Sequence, residues 1–125
     1  MTSTLAVEVE PLIAEHPGSH LVEGTDPLLV EIPRLELPSG WSAPTTPIWF
    51  AIPSGYPAAQ PDCFWADGGL RLAGGALPQN SGVQTLPASD RSVLWFSWHL
   101  GLWRPGRDQL ISYVRFITQR FIDVR

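Results

Sequence analysis

The chain has no lysine. All eight of its basic residues are arginine, so its surface offers no side-chain primary amine for a reactive ester to acylate. A GC-rich genome is the simplest source of that bias. It has one cysteine, Cys63, which excludes an internal disulfide framework. No apolar stretch approaches the roughly 18 residues that a membrane span requires. The opening MTSTLAVEVE carries acids and lacks a basic leader region, unlike a secretory signal. A soluble, cytoplasmic protein with no membrane partner is expected.

Basic charge is also scarce. Eight arginines against twelve acids give a net charge of −4, which disfavours a nucleic-acid partner because phosphate backbones need a basic face. His16, His20 and His99 with one thiol have no metal-ligand spacing, so no metal is expected. DGGLRLAGGALP contains neither GxGxxG nor the lysine of a phosphate-binding loop, and no cofactor is expected.

What is abundant is turn chemistry. Thirteen prolines and eleven glycines disfavour long helices through the first two thirds. PLIAEH (11–16) reads as at most a short helix with Pro11 in its first turn. LLVEIPRLEL (28–37) alternates, but its parity slips across Pro33, which predicts a bulge or bend. PIWFAI (47–52) is apolar on both faces and predicts a central strand. DCFWAD (62–67) and GLRLAG (69–74) read as shorter strands. Gly74 to Asp90 reads as a long polar loop, of a length often tied to function.

In DQLISYVRFITQRFIDVR, residues Leu110, Tyr113, Val114, Ile117 and Phe121 fall on one helical face. Asp108 is placed to favour the N-terminus of that helix, and Arg120 and Arg125 lie toward its other end. Pro105 and Gly106 keep the helix from starting earlier. At 125 residues the chain is sized for one domain, 1–125. Its order predicts an α+β fold: an antiparallel four-stranded meander, a C-terminal helix packed on one face and a minimal N-terminal helix.

Three groups bear on chemistry. Ser97 and His99, in LWFSWHLGLWRPGRDQL (94–110), place a hydroxyl nucleophile two residues from an imidazole. In extended chain the two share a face, with His99 as general base to Ser97; in a helical turn they would point apart. Serine needs such a base or an already activated electrophile. Cys63 lies with Trp65 on one sheet face and Phe64 on the other, a setting that favours packing over reactivity. Trp95, Trp98 and Trp103 are candidates for core, Trp103 most of all, with Trp98 or Phe96 as the alternative docking surface. Arg104 and Arg107 flank the Pro-Gly turn and read as solvated.

The order of these strings resembles the ubiquitin-conjugating enzyme superfamily. IPSGYPAAQPDCFWAD is similar to its strand, Tyr-Pro turn and proline-led strand, with Tyr56, Pro57 and Pro61 in those places. WHLGLWRPGRDQL matches its tryptophan, proline and helix through Trp103 and Pro105. LPSGW, PSGYP, PDCFW and FSWHL…WRPGRD resemble more narrowly the bacterial ubiquitin-conjugating-like family E, over about residues 28–122.

The resemblance implies a transferase of a bacterial ubiquitination-like pathway. Its partners would be a ubiquitin-activating-like enzyme and a ubiquitin-like protein, whose C-terminus it carries to an acceptor amine. The family's cysteine nucleophile stands eight residues before the tryptophan, where this chain has Trp95. Ser97, near that place, is then the expected carrier as an oxyester, with His99 assisting and Cys63 the alternative nucleophile. The His-Pro-Asn element that precedes the cysteine in eukaryotic members of the superfamily is absent. Asn80 in LPQNSG lies near the corresponding loop and, with Asp108, is the candidate for transition-state support. A non-catalytic adaptor of the same fold is the alternative, binding the same partners.

Overall fold

The computed structural model describes residues 4–98 and 101–125. It is α+β: α1 (Thr4–Glu15), β1 (His20–Val22), β2 (Leu28–Glu36), β3 (Thr45–Ile52), β4 (Cys63–Asp67), β5 (Ser81–Thr85), β6 (Ser92–Ser97) and α2 (Leu110–Ile122). The strands form one antiparallel sheet in the order β1-β2-β3-β4-β6-β5. The expected four-stranded meander is therefore six-stranded.

Three observed strands lie outside the four expected segments: β1, β5 and β6, the last in the aromatic stretch read for its chemistry. β1 is only three residues long. β5 lies inside the stretch read as a loop. Its sequence, SGVQT, offers one aliphatic side chain, because one flank of the strand pairs only with β6 and most of its residues stay exposed. Conversely, GLRLAG forms turns instead of a strand, and only Leu72 bridges Trp41. The β2 register shifts between Ile32 and Leu35, the slip anticipated at Pro33, where a ladder N–H is missing. β3 is flanked on both sides and mostly buried, as its two-faced apolar sequence requires.

Both helices cover one face of the sheet. All five residues predicted for the buried face of α2 are buried, joined by Ile111 and Arg120. They pack on Ile32, Ile48, Phe50, Phe64, Leu94 and Phe96. Phe96 and Phe64 stack with centroids 4.7 Å apart, and Phe121 meets both edge-on. The opposite face carries a smaller cluster of Leu29, Trp49, Trp65, Leu86 and Val93. Cys63 and Trp95 pack against this second cluster, so the predicted alternation of Cys63 and Trp65 against Phe64 is observed.

α1 is longer than the minimal helix expected, and Pro11 sits inside it. An internal proline removes one helical hydrogen bond and crowds the preceding turn, so this helix depends on tertiary contacts. Leu12 is fully buried and Val9 nearly so. The buried Glu8 carboxylate accepts the backbone N–H of Leu110 at 2.9 Å and the hydroxyl of Tyr56. Glu15 pairs with Arg115 at 2.6 Å on the surface.

If α1 is held by its buried face, Leu12→Ala removes about 2–4 kcal/mol of stability in urea unfolding. A loss below about 0.5 kcal/mol would contradict a docked α1.

Candidate functional site

The topology brings the candidate residues to one end of the sheet. β4 begins there at Cys63 and β6 ends there at Ser97. The two are paired across the sheet in register. The backbone N–H of Ser97 donates to Asn80 O at 2.9 Å, so Ser97 turns its main-chain groups toward β5. It therefore faces Cys63 as a non-hydrogen-bonded pair, the arrangement that brings Cα atoms to about 4.5 Å and side chains closest together. Phe96 faces the helices, so by alternation Ser97 projects from the other face, as Cys63 does. Ser97 is exposed and Cys63 is half-buried. Asn80 is exposed and occupies left-handed backbone, with φ of 61°, a conformation asparagine tolerates better than most residues. Hydroxyl, thiol and the Asn80 backbone are thus immediate neighbours. His99 lies outside the described residues.

The segments around Ser97 are tied together from beneath by Arg120. This side chain is only 2% exposed. Its guanidinium donates to the main-chain oxygens of Gln79 (2.9 Å), Asp123 (2.9 Å) and Arg125 (2.8 Å). It also lies 5.3 Å from the ring centroids of both Phe96 and Trp98 and 5.9 Å from that of Trp41. One cation therefore grips the residue before Asn80 and both neighbours of Ser97. Burial lowers its pKa, and the nearby Arg125 charge acts in the same direction. Arginine starts so far above neutrality that it stays charged. Arg120 lies in the last turn of α2, as expected, but as a buried core cation whose partners are main-chain oxygens at the C-cap and beyond the helix.

Trp98 is half-buried, stacked on Phe116 at 5.7 Å. Its carbonyl accepts the Tyr113 hydroxyl at 2.7 Å. Burial holds the Tyr113 phenol well above its usual pKa, and the neighbouring Cys63 and Asp62 add to this, so it stays a neutral donor. The chain is thus pinned on both sides of Ser97.

Asp108 does not serve the N-terminus of α2. Its carboxylate accepts the backbone N–H of Arg104 at 2.7 Å, closing the Pro105–Gly106 turn. The helix start is capped instead by a reciprocal pair between Gln109 and Ser112. Arg104 and Arg107 are exposed, as predicted. Trp103, expected in the core, is only half-buried. Its indole donates to Pro57 O at 2.7 Å, and its ring meets Tyr56 at 5.9 Å. The Tyr56–Pro57 turn and the 101–109 segment are therefore joined at the same end of the sheet as Ser97. Burial and the hydrogen bond to the Glu8 carboxylate push the Tyr56 pKa up.

A cleft of about 500 Å³ opens between α1 and the turns at 26–28 and 52–57, lined by Leu5, Glu8, Pro27, Ile52 and Tyr56. A second lies near His16, Arg34 and Thr118. Neither is lined by Ser97 or Cys63. Among the described residues no group of histidine, cysteine and carboxylate side chains could hold a metal. No helix among them is long and apolar enough to cross a membrane.

Burial raises the Cys63 thiol pKa above its ordinary value and the Asp62 charge adds to this, while a hydrogen bond with Trp95 opposes the shift. At neutral pH Cys63 therefore holds less thiolate than a free cysteine. Iodoacetamide modifies it more slowly in the folded protein than in the urea-unfolded chain at pH 8, and the folded rate climbs only at higher pH. Equal rates would contradict this setting. Arg120→Met, which keeps the bulk and removes the donors, costs about 1–3 kcal/mol in urea unfolding because three part-buried main-chain oxygens lose a charged donor. No loss would contradict the clamp.

No curated protein and no solved structure matches the chain. The family model described as prokaryotic E2 family E matches residues 19–123. The match takes in the Tyr56–Pro57 turn and the Trp103–Pro105 loop that the resemblance rested on, together with the Cys63–Ser97 strand pair. By that match over most of its length, the chain belongs to prokaryotic E2 family E.

Proposed function

We propose that this protein is a conjugating-enzyme-like acyl carrier of a bacterial ubiquitination-like pathway, and that Ser97 holds the C-terminus of a ubiquitin-like protein as an ester. Family membership supports the reaction class. The observation that carries the residue assignment is the exposed Ser97 hydroxyl at the end of β6, on a backbone fixed on both sides. Fixing the nucleophile in place supplies the proximity term in catalysis.

The Ser97 oxygen attacks the carbonyl carbon of a tail delivered by an activating enzyme as an adenylate or thioester. A C–O bond forms, the bond to phosphate oxygen or sulfur breaks, and the hydroxyl proton leaves to a base. His99, two residues on, is the base assigned here. An acceptor amine then attacks the ester carbonyl, forms the amide and returns the serine hydroxyl. Asn80 is beside the nucleophile and suits support of the oxyanion. Asp108 contributes by closing the loop that carries Trp103.

Cys63 is the second nucleophile to be weighed, because it stands directly across from Ser97. Its burial and raised pKa reduce the thiolate available without making it a weaker nucleophile than a hydroxyl, and Ser97 is favoured because it is the exposed member of the pair. An activating enzyme, a ubiquitin-like protein and ATP are incubated with the chain, and adducts are read by intact mass. A base-labile adduct lost in Ser97→Ala and kept in Cys63→Ala is the expected result. Loss only in Cys63→Ala would move the carrier to the thiol. No adduct on either would leave a recognition domain that binds the same partners without carrying the acyl group.

A further inference from the structure

Among the described residues, no strand pairs with the outer edge of β5. The ladder shows which of its groups are free to pair. Ser97 N bonds to Asn80 O, and Leu86 N bonds to Arg91 O, so residues 80, 82, 84 and 86 direct their main-chain groups toward β6. By the alternation of an antiparallel ladder, Ser81, Val83 and Thr85 direct theirs outward. Natural sheet edges are guarded by charge, proline, bulges or short length. The opposite edge follows that pattern, since β1 is only three residues long. β5 does not: Ser-Gly-Val-Gln-Thr has no charge and no proline, and its register with β6 runs unbroken through all its residues. Val83 is 54% exposed, and nothing lies within 4 Å of a side chain placed at Gly82.

The fold already pairs the chain just before this edge. Gln79, two residues before Ser81, donates its N–H to the main-chain oxygen of Arg125 at 3.2 Å. Among the described residues that contact stops before β5, and 81 to 85 have no strand partner on this side.

We propose that an extended carboxyl-terminal tail of the ubiquitin-like partner adds to β5 as a seventh strand, antiparallel to it, and that this delivers its carboxyl end to Ser97. The inference rests on the carrier reading above and says how the substrate is held. Direction selects the occupant. β5 leaves the Ser97 end at Ser81, so a strand antiparallel to it runs from Thr85 toward Ser81 and ends beside Asn80. Only a segment that terminates there can turn across Asn80 to reach the hydroxyl. The reach is consistent. About five residues pair with 81–85, and crossing two strand spacings of about 4.8 Å takes about three more at about 3.4 Å each. Such pairing draws affinity from main-chain hydrogen bonds and asks little of side chains. The Arg125 guanidinium is bonded to Asp123 and to Gln79, the residue before Asn80, and in this proposal it attracts the carboxylate on its way past Asn80.

The experiment screens a synthetic library of biotinylated decapeptides with free carboxyl termini against the full chain. A selected peptide is expected to slow amide exchange at Ser81, Val83 and Thr85 at least tenfold. Val83→Pro, which removes one outward N–H at an edge position where proline is tolerated, weakens binding at least tenfold. Val83→Ala stays within threefold of the parent, and amidating the peptide's carboxyl weakens binding at least threefold.

The proposal is overturned if no decapeptide binds, if the bound peptide leaves those amides unprotected, or if amidated peptides bind equally. It is also overturned if the protein alone protects the same amides as its concentration rises, since a second copy would then be the occupant. Failure of the carrier reading looks different. In that case the charging experiment leaves no adduct on Ser97 or Cys63, while free peptides still protect the β5 edge.

Discussion

The buried guanidinium of Arg120 is the constraint on which the candidate site depends. A cation withdrawn from water costs several kcal/mol unless its hydrogen bonds are replaced. No carboxylate side chain among the described residues pairs with it within salt-bridge distance. Main-chain oxygens and aromatic faces take that place. This forces distant parts of the chain together: the end of α2, Gln79 before β5, and Phe96 and Trp98 on either side of Ser97. Once they are held, the Ser97 hydroxyl has little choice of position, and β5 has a fixed starting point beside it.

A second buried ionisable group organises the far side of the same end. The Glu8 carboxylate joins α1 to Tyr56 and to the first residue of α2. The Trp103 indole then ties the following loop to Pro57. The order of Tyr-Pro turn, tryptophan and helix thus has a physical basis in this chain: each element supplies a polar group that another must satisfy. Half-burial of Trp103 follows, because its N–H has to reach a carbonyl at a surface turn.

Much of this was legible in the residues. Leu110, Tyr113, Val114, Ile117 and Phe121 repeat at helical spacing, and they form the buried face. Pro33 marked the register slip, and the two-faced apolar run at 47–52 marked a central strand. The misreadings share a cause, which is that local pattern carries no record of long-range partners. Pro11 argued against a helix that Glu8, Val9 and Leu12 hold in place through contacts remote in sequence. SGVQT looked like loop because an exposed edge strand needs few apolar side chains. Asp108 looked like a helix cap because its true donor, Arg104 N–H, lies on a tight turn. Arg120 was the most instructive. It stands three residues after Ile117 and seven after Tyr113, on the apolar face by simple periodicity, yet its charge was read only as suiting the helix end. At the chemical site, sequence brought forward Ser97, Cys63 and Asn80 separately; only the strand register set them side by side.

The central claim is that Arg120 holds the backbone at 79–80 and 96–98 and so positions Ser97. The most direct measurement is the exchange rate of the Ser97 amide proton, which is bonded to Asn80 O, in the parent and in Arg120→Met. The account predicts exchange at Ser97 faster by a factor of about 100 or more in the variant, beyond any change at Phe50 in the central strand. Ser97 exchange that merely follows Phe50, or does not change, would contradict it.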